Sequence, residues 1–212
     1  MPQRIERKEE TIGGVEDARK FAQAHKKYAR LMYRAFLKDL KALQVSGNEY
    51  LEIGAGPGFL ATMIAERNTA VSITAVDLSP DMVAVANEYI NERKLQDRIH
   101  YVVGDVGDRD SMEGLGKFDL VYSTFSLHHW KDPETSISNL WNAVKDNGIL
   151  YIHDFKRVWW LCFLPLKGGA IGEIRASYTP KEIRAILEKL GIADYRIKTS
   201  FPFFLQSVIA RK

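Results

Sequence analysis

The chain has 212 residues, 46% of them hydrophobic, and a formal charge of +3, which suits one compact domain with a full core and leaves no linker long enough to divide it. The longest apolar run, Val158 to Leu166, contains Pro165 and falls far short of the ~20 residues that span a bilayer, so a transmembrane helix is excluded. A lone Cys162 excludes an intrachain disulfide, and no Cys/His cluster has zinc spacing, so no metal is expected; Met1 to Thr11 has no apolar export segment, so a cytoplasmic protein is expected.

The first predicted element is a helix between Ala18 and Leu43. Its basic residues, Arg19, Lys20, Lys26, Lys27, Arg30, Arg34, Lys38 and Lys41, stand against Asp39 alone. Phe21, Ala24, Tyr28, Leu31, Met32, Ala35, Phe36, Leu40 and Leu43 recur at three-to-four spacing, so one face should be buried and the cationic one exposed. A solvated face on a packing helix explains such a run; peripheral contact with a membrane or another anionic surface is the functional alternative.

Tyr50-Leu51-Glu52-Ile53 then reads as a strand breaking into a helix through Gly54-Ala55-Gly56-Pro57-Gly58. The glycines, spaced by two, permit positive φ or a close ligand approach that a Cβ would block. Because Phe59 stands three positions after Gly56, the pattern is not the dinucleotide fingerprint G-x-G-x-x-G. A second strand over 71–76 ends on Asp77, about twenty residues past Gly58, where an α/β nucleotide site places its ribose-binding carboxylate. A third, over 99–103, is followed by Gly104-Asp105-Val106.

Further strands near 118–123 and 149–153, with helices near 58–67, 80–93 and 133–146, complete an alternation that argues for a parallel sheet covered on both faces. Ser79 and Asp132 are expected N-caps, each followed by proline, and Thr179-Pro180-Lys181-Glu182 is a capping box for a helix ending near Gly191. Gly148 fits the residue that follows the helix carrying Ile137, Leu140, Trp141 and Val144. The stretches 195–199 and 205–210, joined by a short link, read as an antiparallel hairpin.

With Glu52 ahead of the glycines and Asp77 and Asp105 at the next two strand ends, the chain from Tyr50 onward resembles the class I S-adenosylmethionine (SAM) dependent methyltransferases, of the small-molecule type similar to those of quinone biosynthesis. The resemblance implies a Rossmann-like, doubly wound α/β fold: a mostly parallel seven-stranded sheet with a reversed last strand. One domain over 1–212 is expected, with 49–212 as the SAM-binding core; because the N-terminal helix and the insertion after the fifth strand lie outside the minimal sheet, 1–48 is expected to form a helical cover and 154–178 a substrate-side insertion. On that pattern the loop from Gly54 through Ala55 and Gly56 to Gly58 passes under the cofactor, and Glu52 orients its amino-acid end. Asp77 takes the ribose hydroxyls and Leu78 packs on adenine. Asp105 meets the exocyclic amine, beside Gly104 and Val106. Carbonyls near Ser123 and Thr124 hold the methionine amine, and Phe125 walls the sulfonium. Apart from that pattern, Tyr28 is the helix residue expected to face the cofactor from the cover. Each acid also has a plainer structural reading, as a turn or helix-start carboxylate.

The segment Thr124-Phe125-Ser126-Leu127-His128-His129-Trp130 is similar to a His-rich stretch in that group, and His128 is the candidate general base. A histidine that merely holds the loop is the alternative. Substrate-side candidates are His129, His153, Asp154, Trp159, Trp160 and Tyr178. No N-P-P-[YF] signature follows the fourth strand, so nucleic acid is disfavoured as a substrate. A small, hydrophobic or lipid-like acceptor is expected, with SAM as cofactor, S-adenosylhomocysteine as product and either a monomer or a homodimer. A non-catalytic SAM-binding subunit is the alternative function, and an NAD-dependent oxidoreductase is argued against by the missing third Rossmann glycine.

Overall fold

The computed structural model describes residues 4–5, 13–162, 169–200 and 203–212, with nothing said of the Cys162 side chain. Seven strands form one sheet: β1 (Glu49–Ile53), β2 (Ser72–Asp77), β3 (Ile99–Val103), β4 (Phe118–Thr124), β5 (Val144–Phe155), β6 (Tyr195–Ser200) and β7 (Leu205–Arg211). Their order is β3-β2-β1-β4-β5-β7-β6. The first five are parallel, while β7 runs antiparallel to both β5 and β6. The expected Rossmann-like sheet with its C-terminal hairpin is the observed one, and the order reverses between β1 and β4, opening a crevice at their carboxyl ends.

Local chemistry sets the element boundaries. The Ser79 hydroxyl accepts from the Met82 amide to start α5 (Pro80–Glu92), and Asp132 caps α7 (Pro133–Ala143). Both halves of the Thr179/Glu182 capping box form at α10 (Pro180–Lys189). Gly148 is not a helix end: α7 stops at Ala143, β5 begins at Val144, and the left-handed residue is Asn147 at φ 64°. A Cβ on Gly148 would lie 2.8 Å from the Lys145 carbonyl and 3.1 Å from that of Asp119, so the glycine is there for close strand packing.

The cationic helix divides into α1 (Val15–Lys26), α2 (Ala29–Met32) and α3 (Arg34–Leu43). The breaks rephase the buried stripe: Ala18, Ala22, Ala29, Phe36 and Leu43 go inward, whereas Tyr28 and Leu31, expected inside, are exposed. The basic face is outward as expected. Helix α1 packs on α5 and is tied to it by Arg19–Glu88 at 2.7 Å. Phe36 of α3 stacks against Tyr122 and Tyr151 on the sheet, with ring centres 5.1 and 4.8 Å away. Between β5 and α10, α8 (Trp159–Cys162) and α9 (Gly169–Ala176) occupy the described part of the 154–178 stretch; residues 163–168 lie outside the described residues. No helix among the described residues is long and apolar enough to cross a membrane.

Candidate active site

The carboxyl ends of β1, β2 and β4 bring Glu52, the glycine loop, Asp77 and Ser123 to Phe125 to one sheet edge. The Gly54 and Ala55 amides donate to the Val76 carbonyl at 2.9 and 3.1 Å, and Asp77 reaches back, accepting from the Gly56 amide at 2.8 Å and the Ser79 amide at 3.0 Å. Below the loop, the Tyr101 hydroxyl donates toward the carbonyls of Ala55 and Gly56, at 3.3 and 3.1 Å. Gly54, Gly56 and Gly58 all have positive φ, but for different neighbours. A Cβ on Gly54 would strike the Ser126 hydroxyl at 2.3 Å, whereas one on Gly56 meets no protein atom within 4 Å. Gly56 therefore borders open space beside the Asp77 carboxylate.

Glu52 is buried and takes a 2.9 Å hydrogen bond from the Tyr122 hydroxyl. Burial pushes its carboxyl up to about 8; the Tyr122 bond opposes that rise and nearby Asp77 adds to it. Burial also raises Asp77, against the pull of the Ser79 and Gly56 amides. Phe125 sits at φ 55°, a left-handed conformation that costs a non-glycine residue ~1–3 kcal/mol. It is held there by its amide bond to the His153 carbonyl at 2.8 Å and by ring contacts with His153, Phe155 and Tyr33.

Toward β3, Gly104 donates to the Asp77 carbonyl at 3.1 Å, exposed Asp105 caps its own turn through the Gly107 amide at 2.8 Å, and Val106 is buried. Leu78 lies exposed beside Asp77. Tyr28 is 61% exposed, whereas Tyr33, on the turn between α2 and α3, reaches Phe125 with ring centres 6.2 Å apart.

His128 departs most from expectation. It lies in a 3₁₀ turn (Leu127–His129) with its side chain 2% exposed, Nδ1 2.7 Å from Asp154 Oδ1 and Nε2 2.8 Å from Glu173 Oε2. Burial alone would lower its pKa, but the charges of and bonds to Asp154 and Glu173 overcome that and raise it to about 9. A pKa of about 9 favours the imidazolium at neutral pH, a form whose two ring nitrogens face Asp154 and Glu173. These contacts favour a clamp between loop and sheet over the general base expected from the sequence. Asp154 is committed to the same clamp, since it also accepts from the His128 and Phe155 amides at 2.8 and 2.7 Å.

His129 is half-exposed, its Nε2 4.0 Å from the same Glu173 oxygen. The donor atoms of His128, His129 and Glu173 lie within 4.8 Å of one another, a grouping of the kind that can hold a metal, although here it forms an ion pair. Nothing in the sequence spacing announces Glu173. Tyr178 is buried under the Arg4 guanidinium, 4.5 Å from the ring centre, and Trp159 and Trp160 are 61% and 50% exposed. His153 is fully buried at the end of β5; burial lowers its pKa to about 4, so its ring is neutral.

A family profile described as "Methyltransferase domain" matches residues 51–150. The chain is 27% identical over 170 residues to demethylmenaquinone methyltransferase of Thermus thermophilus, covering 74% of this chain and 75% of that protein. It is 30% identical over 105 residues to malonyl-[acyl-carrier protein] O-methyltransferase of Priestia megaterium, covering 50% of this chain. The chain spans 28%, 36% and 44% of the length of the first three curated relatives it matches. Among solved structures, a SAM-dependent methyltransferase from Aquifex aeolicus superposes with a TM-score of 0.71 at 20% identity, over 93% of this chain and 97% of that one.

Proposed function

We propose that this chain, which shares the fold of SAM-dependent methyltransferases and matches a methyltransferase-domain profile over residues 51–150, moves a methyl group from SAM to a small-molecule acceptor. The observation that carries the reading is the open space at Gly56 beside the Asp77 carboxylate, over the buried Glu52. Asp77 offers acceptor lone pairs to two ribose hydroxyls, Glu52 a counter-charge to the methionine ammonium, and Phe125 an apolar wall. The Ser123 and Thr124 backbone continues the amino-acid end, while Asp105 and Leu78 flank the adenine. A sulfonium supplies an already activated methyl; the protein's part is to align the acceptor and exclude water, worth up to ~7–11 kcal/mol of barrier. We assign residues 1–48 as the cover and 154–178 as the acceptor side. The relatives named for methylating demethylmenaquinone and malonyl-[acyl-carrier protein] support a metabolite acceptor.

Calorimetry with SAM, S-adenosylhomocysteine and NAD, followed by transfer from methyl-labelled SAM into a metabolite extract, tests this. SAM should bind and the label should enter a small molecule; affinity for SAM no better than for NAD would refute the assignment.

Glu52 makes a sharper expectation. With its pKa raised to about 8 it is largely protonated at pH 7, and an ammonium placed beside it favours the ionised form. SAM binding at pH 7 should therefore release close to one proton, read as a dependence of binding enthalpy on buffer ionisation enthalpy; Glu52→Gln should abolish it. Because the folded pKa lies above the unfolded one, Glu52 costs stability increasingly as pH climbs from ~4.3 through 8, on the order of a few kcal/mol. The glutamine variant should melt higher than wild type at pH 8 even as it binds SAM more weakly.

The cover is tested by comparing two tyrosines. Tyr33→Ala should weaken SAM binding by roughly tenfold, about 1.4 kcal/mol, while Tyr28→Ala leaves it unchanged. Equal losses of affinity on the two substitutions, measured by calorimetry, would place Tyr28 at the cofactor as well.

A further inference from the structure

On the sheet face beneath α3, paired strand positions line up side chains in one layer: Thr124 with His153, Tyr151 with Ile209, and His153 with Ser207. A chain of polar groups runs through it. The Tyr151 hydroxyl is 2.5 Å from Asp39 Oδ2 and 2.9 Å from Ser207 Oγ, and Ser207 Oγ is 2.8 Å from His153 Nδ1. Asp39 is held in turn by Lys198. The other ring nitrogen, His153 Nε2, is buried with no hydrogen-bond partner among the described residues.

Counting protons fixes the state of this chain. A carboxylate only accepts, so Tyr151 gives its single proton to Asp39 and its oxygen accepts from Ser207. Ser207 has then spent its single proton, so its oxygen must accept from Nδ1–H of His153. The imidazole is neutral, and its lone pair is forced onto Nε2. A buried acceptor without a partner is a standing cost that ligand sites retain when a ligand supplies the donor. The ring's edge contact with Phe125, 5.3 Å between centres, puts it at the sheet edge that holds the glycine loop and Glu52.

We propose that His153 Nε2 is the proton acceptor of this site, serving a methyl acceptor whose nucleophile carries a proton, such as a phenolic or enolic hydroxyl, with Asp39, Tyr151 and Ser207 as positioning residues that set its tautomer. The inference rests on the methyltransferase reading. In the step, Nε2 takes the hydroxyl proton, the oxygen pair forms the bond to the methyl carbon, and the carbon–sulfur pair returns to sulfur as S-adenosylhomocysteine. The product imidazolium then loses its proton to solvent.

Two-bond ¹H–¹⁵N correlation spectra of histidine-labelled full-length protein test it without an acceptor substrate, His153→Gln assigning the signal. His153 should be the Nδ1–H tautomer and stay neutral down to pH 5. Ser207→Ala and Asp39→Asn should release that preference, while Ser207→Thr should retain it. Saturating S-adenosylhomocysteine should shift the Nε2 resonance. An Nε2–H tautomer in the wild type, a preference untouched by Ser207→Ala, or an Nε2 signal unmoved while calorimetry shows S-adenosylhomocysteine bound overturns the proposal alone. No binding of S-adenosylhomocysteine overturns the cofactor reading, and this role with it.

Discussion

Gly56→Val should abolish measurable SAM binding while the protein still folds. At φ 54° the position is left-handed, so a side chain costs ~1–2 kcal/mol of backbone strain, yet its Cβ meets no protein atom within 4 Å. The damage falls on the ligand's space: a loss of at least ~100-fold in affinity, about 2.8 kcal/mol, is expected by calorimetry, with only a few degrees off the melting temperature. Gly54→Val provides the contrast. Its Cβ collides with Ser126, whose hydroxyl also accepts from the Trp130 indole N–H at 3.0 Å, so that variant should lose stability first. A folded Gly56→Val protein with wild-type affinity would remove the loop from the cofactor site.

Asp154→Ala should destabilise the protein by about 3–5 kcal/mol, since it strands a buried imidazolium and two amide donors. At ~2–4 °C per kcal/mol for a chain of this size, the melting temperature should fall by roughly 6–20 °C. The pH dependence carries the diagnosis. His128 has its folded pKa raised to about 9, so its contribution is fully present below ~6.5 and is lost as pH rises through 9, amounting to about 3 kcal/mol. Wild-type stability should therefore decline over that window, and His128→Gln should flatten the His128 part of the decline in a denaturant series run from pH 6 to 9.5. An unaltered slope in that variant would show that His128 is neutral in the native state, restoring it as a candidate base.

What was legible in the sequence was whatever short-range chemistry dictates. Strand ends punctuated by Gly54–Gly58, Asp77 and Asp105, prolines behind Ser79 and Asp132, and the Thr179/Glu182 box each encode their element within a few residues. The broken first helix was not legible, because its apolar spacing runs on through Lys27 to Tyr33, and only packing against α5 and the sheet decides where the phase shifts. The same rephasing turned Tyr28 and Leu31 outward. The charge state of His128 depends on Glu173, distant in sequence, while the tautomer of His153 depends on Asp39 and Ser207. Histidine chemistry is set by partners that only the tertiary fold supplies, so a motif that places the ring leaves its protons undetermined.

The carboxylate of Asp77 already holds the Gly56 and Ser79 amides without any ligand. Ordering a glycine-bearing segment costs about 1–2 kcal/mol per residue, and here folding has absorbed that cost before a ligand arrives. Ligand association at this edge can thus proceed with no disorder-to-order transition of the loop and no heat-capacity signature of one. On the proposed reading, Asp77 makes the shape of the loop and the capture of a sugar inseparable: a substitution there alters the unliganded backbone as well as the affinity, so equilibrium binding data on such a variant report both effects together.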